Sequence, residues 1–511
     1  RIRIVSVIDK LENDPDWVLV SSNERRAAYP EVFRLNIHNG RTRIVQRNPG
    51  DVVGWFTDWD GDVVGAVFQD ELETGFKLLR DPKEGEWEVI TEGRFDEPGF
   101  SPAGFRGDGE TGWVTSNVTP DGAYRDKAAL YEYDFKNKKF GKLIYEHDTV
   151  DCCNVIMNRK KRDMIGLSYA VGKPEIVYTD ERWRQIMDGI DSALPYTVNA
   201  ISSLDDEETI AVVTASNSTQ PTKYYLYDFE KKALEWLADS RPWIEPEKMA
   251  AMKPFSFEAR DGMEMHGFLT LPKASDGKML PLVVNPHGGP WARDTWGFRS
   301  EAQFLANRGY AVLQVNFRGS TGFGMEHLKS SWKQWGQSMQ NDITDAVQWA
   351  ISEGIADKDR ICIYGASYGG YATMAGLVYT PELYRCGINY VGVTDIPLLL
   401  DTAPDAWASS EEQMKVMIGD PKSEKEYLEQ WSPSNHADKI QAPVFMAYGM
   451  KDPRVNIKHL KVMEKSMDKA GVKYETMVKA DEGHGFRKEG NRMDFYRKME
   501  EFLARNLKAG M

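Results

Sequence analysis

Gly365-Ala366-Ser367-Tyr368-Gly369 leaves the apolar run Ile361-Cys362-Ile363-Tyr364 and enters a segment that reads as a helix. In that strand–turn–helix context G-x-S-x-G is a nucleophile elbow. The turn is so sharp that its central residue takes a strained backbone conformation, and only glycine at the flanking positions leaves room for it. Ser367 is thereby lifted out of the fold with its hydroxyl exposed. The same five residues without a strand before them and a helix after them would be an ordinary turn.

An elbow of this kind belongs to a doubly wound, mostly parallel α/β-hydrolase sheet. In that fold the acid and the histidine follow the serine in the chain, each on a loop just after a strand. Pro443-Val444-Phe445-Met446-Ala447-Tyr448 is a short apolar run, and Gly449-Met450-Lys451-Asp452 leaves it, which makes Asp452 the candidate acid. The next strand-like run spans Tyr474 to Val478 and is followed by Asp481-Glu482-Gly483-His484-Gly485-Phe486. His484, with glycine on both sides, is the candidate base. Of the eight histidines, His436 and His459 also follow Ser367, but neither sits on a glycine-flanked loop after a strand. Alone, Asp452 reads as a turn residue and His484 as a surface loop residue; in order behind the elbow they form a trio. Asp481 is the acid to consider if Asp452 is not.

The chemistry accounts for these residue types. A serine hydroxyl is a poor nucleophile at neutral pH, so an imidazole takes its proton during attack and returns it to the leaving group. A carboxylate meanwhile fixes the ring tautomer and stabilises the imidazolium. The tetrahedral intermediate also carries an oxyanion, and losing one N–H donor to it typically costs about 3 to 4 kcal/mol. His287-Gly288-Gly289-Pro290, directly after the strand-like Leu282-Val283-Val284-Asn285, is in the right place to supply donors. We assign the oxyanion hole to the N–H groups of Gly289 and Tyr368. Without the elbow, His-Gly-Gly-Pro would be no more than a tight turn.

Six motifs in order carry a resemblance. They are His287-Gly288-Gly289-Pro290, Asn316-Phe317-Arg318-Gly319-Ser320-Thr321-Gly322-Phe323-Gly324, Trp335-Gly336, Gly365-Ala366-Ser367-Tyr368-Gly369-Gly370, Asp452-Pro453-Arg454-Val455 and Gly483-His484-Gly485-Phe486. Together, from about Lys253 to the C-terminus, they resemble the catalytic domain of the prolyl oligopeptidase family of serine peptidases. The His-Gly-Gly-Pro loop is similar to that of the acylaminoacyl-peptidase branch, whereas prolyl oligopeptidase and dipeptidyl peptidase IV place a tyrosine side chain there. The resemblance implies a serine peptidase that hydrolyses short peptides, with acylaminoacyl- or dipeptidyl-peptidase-like specificity. It further implies that Arg454, two residues after the acid, hydrogen-bonds the substrate's P2 carbonyl; otherwise Arg454 is an ordinary surface arginine.

The first half of the chain has a different texture. One unit recurs at Val32-Phe33-Arg34-Leu35-Asn36, Phe76-Lys77-Leu78-Leu79, Leu130-Tyr131-Glu132-Tyr133-Asp134, Ile176-Val177-Tyr178-Thr179-Asp180 and Tyr225-Leu226-Tyr227-Asp228. Each is an apolar and aromatic strand with a polar turn, preceded by another strand and often followed by one such as Leu143-Ile144-Tyr145. The units start at residues 32, 76, 130, 176 and 225, so the intervals are 44, 54, 46 and 49 residues. That period suits four-stranded propeller blades, and the family resemblance implies an N-terminal β-propeller as well. The expected architecture is an all-β propeller over residues 1–250 and an α/β-hydrolase domain over residues 251–511. Five blades are visible where relatives of the acylaminoacyl branch usually have seven, and the chain opens at Arg1 inside a strand-like run. Two further blades upstream are therefore expected, with a smaller propeller as the alternative.

Composition suits a large two-domain protein. A chain of 511 residues has material for two cores, and no apolar run approaches the roughly 20 residues needed to span a bilayer. The net charge of −14, without a basic cluster, argues against nucleic acid as a partner. Four cysteines, two of them adjacent at Cys152-Cys153, make no disulfide framework, and free thiols slightly favour a cytoplasmic location. A periplasmic one fits if a signal peptide has been removed. No His-x-x-x-His pair or cysteine cluster implies a metal, and no cofactor is expected. A homo-oligomer is compatible with this composition, and most of the fifteen tryptophans are expected in blade and interdomain packing. An esterase or lipase would use the same elbow, but it has no obvious need of a propeller. A propeller interaction protein with a degenerate hydrolase domain would need a broken trio. An exopeptidase that holds a free amine needs paired carboxylates, for which Glu207-Glu208 and Glu411-Glu412 are candidates among many acidic pairs.

Overall fold

In a computed structural model describing residues 2–81 and 85–507, the five repeats fold as five separate antiparallel sheets, the blades of a β-propeller. The recurring unit is the third strand of each blade: Glu31–Asn36, Glu73–Asp81, Tyr124–Asp134, Pro174–Tyr178 and Lys223–Asp228. Blades have to bury both faces against their neighbours, which explains the aromatic texture. Leu19, Val32, Trp55 and Ala66 pack together between the first and second blades. Phe76, Phe105, Val114, Tyr131 and Phe135 do so between the second and third.

The fourth blade departs from the four-stranded expectation. It has three strands, and the helix Glu181–Ala193 follows where a fourth would run. Asp180 caps that helix by accepting from Trp183 N at 3.1 Å. Trp183, Met187 and Ile190 then fall on one buried face, a helical rather than a strand period. Met187 and Ile190 pack on Ala211, Val213 and Tyr227 of the fifth blade, so the helix fills the gap. Cys152 and Cys153 form a vicinal disulfide, and Cys362 and Cys386 are free, buried thiols. Of the tryptophans, Trp236 and Trp243 are exposed.

The second half builds one eight-stranded sheet. In spatial order its strands are Met252–Glu258, Glu264–Thr270, Ala311–Asn316, Leu280–Val284, Ala356–Ala366, Cys386–Tyr390, Val444–Gly449 and Tyr474–Lys479. Glu264–Thr270 is antiparallel to both neighbours, and all other pairs are parallel. Parallel strands covered on both faces read as unbroken apolar runs, and the alternation within each run sorts residues to opposite layers. Leu282, Val284, Ile361, Ile363, Val444 and Met446 meet helices Ser338–Ser352, Tyr368–Tyr379 and Lys458–Ala470. Val283, Cys362, Tyr364, Phe445 and Ala447 meet helices Ser300–Asn307 and Glu489–Leu507 on the other side.

Propeller and sheet are tied together at the start of the short helix Met325–Lys329. Asp126 Oδ1 accepts from Glu326 N at 2.6 Å, and Asp151 Oδ2 accepts from Gly324 N at 3.2 Å. Asp151 N in turn donates to Gly322 O at 3.0 Å. Arg293 stacks over Phe323 at 4.3 Å and donates to Ala170 O at 3.2 Å. No described helix is long and apolar enough to cross a membrane.

Candidate active site

Ser367 stands between the strand Ala356–Ala366 and the helix Tyr368–Tyr379 with φ 59° and ψ −119°, the strained turn of an elbow. The glycines around it are demanded by close backbone approach. A Cβ on Gly365 would lie 2.4 Å from Gly369 O, and one on Gly369 would lie 2.2 Å from Pro286 O. Gly370, whose part was not foreseen, lies against Gly392, where a Cβ would stand 2.6 Å from that Cα. None of these main-chain atoms can yield as a flexible side chain would. Gly369→Ala is therefore expected to cost about 2–3 kcal/mol of folding stability by overpacking. Chemical denaturation checks this, and a variant as stable as the parent would contradict the contact with Pro286.

The acid and histidine loops touch for a similar reason. A Cβ on Gly449 would fall 2.3 Å from Gly483 O, and Lys451 N donates to Glu482 O at 2.9 Å. This brings His484 Nδ1 to 2.7 Å from Asp452 Oδ2. Asp452 is buried, and its Oδ1 accepts from Arg454 N at 2.8 Å and Val455 N at 3.0 Å. All three bonds run from N–H donors to carboxyl oxygens, so the carboxyl is fixed in place and His484 carries its proton on Nδ1. Nε2 is left as the ring's open acceptor. Ser367 Oγ makes no hydrogen bond to a described residue. Asp481 is exposed and bonded to Lys488 and to Asn491 Nδ2 at 3.1 Å, so it is not the partner of His484.

Two supports of the histidine loop were missed in the sequence. Glu482 accepts from Arg487 N and Lys488 N, both at 2.9 Å, and Tyr390 OH accepts from Phe486 N. Glu482 stood inside a run already singled out, whereas nothing local marks Tyr390.

Gly289 has φ 125°, and neither its N–H nor that of Tyr368 donates to a described residue. Both donors are thus free. The loop before them is braced by His287, whose ring stacks on Phe317 at 4.3 Å. Its Nδ1 lies 2.8 Å from Gly288 O and its Nε2 2.9 Å from Ser320 Oγ, whose hydroxyl donates to Phe317 O at 2.7 Å. Burial lowers the His287 pKa. Arg318 and Asp342, paired through bonds of 2.7 and 2.8 Å, anchor the run that carries Phe317 and Ser320. Arg454 is exposed, and its guanidinium has no hydrogen bond or ion pair to a described residue. Both acidic pairs are committed elsewhere: Glu208 to Arg182 at 2.6 Å, Glu207 to Lys160 at 3.8 Å, and Glu411 and Glu412 to Lys415. Among the described residues no group of three His, Cys, Asp or Glu side chains is placed to hold a metal ion.

Residues 296–510 match the model of the prolyl oligopeptidase family. Dipeptidyl aminopeptidase BIII of Pseudoxanthomonas mexicana is 33% identical over 504 residues, 96% of this chain and 72% of that protein. The chain belongs to the prolyl oligopeptidase family. It is a serine peptidase. Dipeptidyl peptidase family member 6 of Caenorhabditis elegans is 28% identical to this peptidase, over 96% of this chain and 70% of its own length. A puromycin-hydrolyzing peptidase of Mycobacterium tuberculosis shares the fold of the peptidase with a TM-score of 0.75 at 18% identity, over 96% of this chain and 77% of its own.

Proposed function

We propose that this peptidase releases dipeptides from the free N-termini of short peptides, through an acyl-enzyme on Ser367. The observation that carries the reading of the site is the 2.7 Å bond between His484 Nδ1 and Asp452, which orients Nε2 for proton transfer. His484 takes the Ser367 proton as Oγ attacks the scissile carbonyl, and the oxyanion rests on the N–H groups of Gly289 and Tyr368. The imidazolium, stabilised by Asp452, returns the proton to the leaving amine. Water then repeats the sequence against the ester and frees Ser367. The dipeptidyl specificity is supported by the two relatives of that name, which align along nearly the whole chain. A boundary near residue 250 belongs to the same proposal, supported by the gap between the last blade strand, ending at Asp239, and the first sheet strand, starting at Met252.

A panel of chromogenic substrates tests the specificity. The free-amine dipeptide member is expected to be cleaved fastest, ahead of the acetylated and internal-proline members. Preference for the acetylated member would point instead to an acylaminoacyl-peptidase.

Arg454 is proposed to bind the P2 carbonyl. Its side chain is unengaged, while its backbone N–H is held by Asp452 at 2.8 Å, which sets it on the loop of the acid. A charged hydrogen bond is worth roughly 1.5–3 kcal/mol, so Arg454→Ala is expected to lower kcat/KM on dipeptide substrates about ten- to a hundredfold. A p-nitrophenyl ester, which has no P2 carbonyl, should lose much less. Equal losses on both would mean that Arg454 supports the loop's architecture.

A further inference from the structure

Cys152 and Cys153 are neighbours in the chain, so the bond between their sulfurs closes a small ring around the peptide that joins them. Within that ring the soft backbone torsions on either side of the peptide lose their freedom. The residue before the ring is Asp151, the propeller's hold on the peptidase half. Its N–H donates to Gly322 O at 3.0 Å, and its Oδ2 accepts from Gly324 N at 3.2 Å. The same carboxyl is tied back into the third blade, where Oδ1 accepts from Ala128 N at 2.8 Å and Cys152 N donates to Ala128 O at 2.8 Å. Ring and clasp are therefore continuous.

The two cysteines differ in their surroundings. Cys152 is buried among Trp113, Leu130 and Leu167, whereas Cys153 is half-buried. Both line a cavity of about 430 Å³ whose wall also includes Asp151, Arg293 and Thr295, so the disulfide opens onto the junction of propeller and sheet. A space of that size admits a small thiol or dithiol. Cys362 and Cys386, by contrast, are fully buried inside the sheet.

We propose that Cys152–Cys153 is a redox-active site, and that its reduction by a dithiol loosens the Asp151 clasp and slows turnover. A thiolate of the dithiol attacks one sulfur, the S–S bond breaks, and a mixed disulfide forms; the second thiol of the reagent then displaces it. Two electrons and two protons pass to the protein, which gains two thiols, and the reagent leaves as its own disulfide. Oxidised glutathione runs the exchange backwards. With the ring open, Asp151 loses its fixed approach to Gly322 and Gly324. The run from Gly324 back through Ser320 to the His287 loop then loses a support. The effect on turnover rests on the serine-peptidase reading of the elbow, whereas the effect on the clasp does not.

The test compares the parent reduced by dithiothreitol with the parent oxidised by oxidised glutathione, and alkylation of Cys152 and Cys153 reports the state of the pair. Reduction is expected to lower kcat about fivefold or more, on a dipeptide substrate and a p-nitrophenyl ester alike, and reoxidation to restore it. Hydrogen exchange at Gly324 N–H should quicken about tenfold or more in the reduced protein. The double variant Cys152→Ser, Cys153→Ser is expected to stay at the reduced rate and to ignore both reagents. Asp151→Asn, which cannot accept at both positions, should respond less than twofold. A parent whose kcat stays within twofold between the two states overturns the proposal, as does a pair that still alkylates after oxidation. Should the double variant not fold, the reversible response of the parent decides. Fluorophosphonate labelling of the oxidised parent separates the two levels. Without labelling the serine-peptidase reading has failed and Gly324 exchange alone decides for the clasp, whereas labelling with unchanged kcat means that the redox assignment alone has failed.

Discussion

Ser367→Ala is expected to lower kcat about 10⁶-fold and to abolish covalent labelling by a fluorophosphonate probe, because removal of the nucleophile leaves only binding and the oxyanion donors. The fold should survive. Ser367 Oγ makes no hydrogen bond to a described residue, and its main-chain contacts, Ser367 N to Tyr390 O at 3.0 Å and Tyr371 N to Ser367 O at 3.1 Å, need no side chain. Alanine is no worse suited than serine to a φ of 59°, so the melting temperature should stay within a few degrees of the parent's. The decisive readout is labelling: an Ala variant that still reacts with the probe would move the nucleophile elsewhere.

Asp452→Asn is the second large effect, a loss of about 10³–10⁴-fold in kcat. Asp452 receives N–H donors at both oxygens, two from the backbone and one from His484. An asparagine can keep the backbone bonds on its carbonyl oxygen, but it then presents an NH₂ to Nδ1. The ring must turn or shift its proton to Nε2, and Nε2 can no longer take the proton of Ser367. The protein should remain folded while turnover falls, with KM less affected than kcat. Activity within tenfold of the parent would remove Asp452 from the chemistry.

The three candidate residues could be picked out because each sits where an unbroken apolar run ends, and such runs are what a parallel sheet covered on both faces requires. Ile361–Tyr364, Pro443–Tyr448 and Tyr474–Val478 all became strands of that sheet. The blades were legible through their third strands, whose aromatic residues have to fill the space between neighbours. The helix Glu181–Ala193 was not, because Trp183, Met187 and Ile190 serve a local gap beside the fifth blade, and a repeat of strands carries no notice of it. The braces of the site were hidden for another reason. Tyr390, Ser320 and Gly370 act on partners far along the chain, Phe486, His287 and Gly392, and such pairings exist only once the sheet has brought them together.

The cap on the short helix Met325–Lys329 bears on how this architecture can be recombined. Asp126 and Asp151 belong to the propeller, yet the run they hold leads through Ser320 to His287 and so to the oxyanion loop. A chimera that swaps in a foreign propeller would replace one abutment of the catalytic frame. Unless the donor carries carboxylates at these two places, the hybrid should lose turnover even on small esters. Diversification of the propeller is thus coupled to the chemistry through two aspartates, and they are the junction residues to transplant together with the propeller.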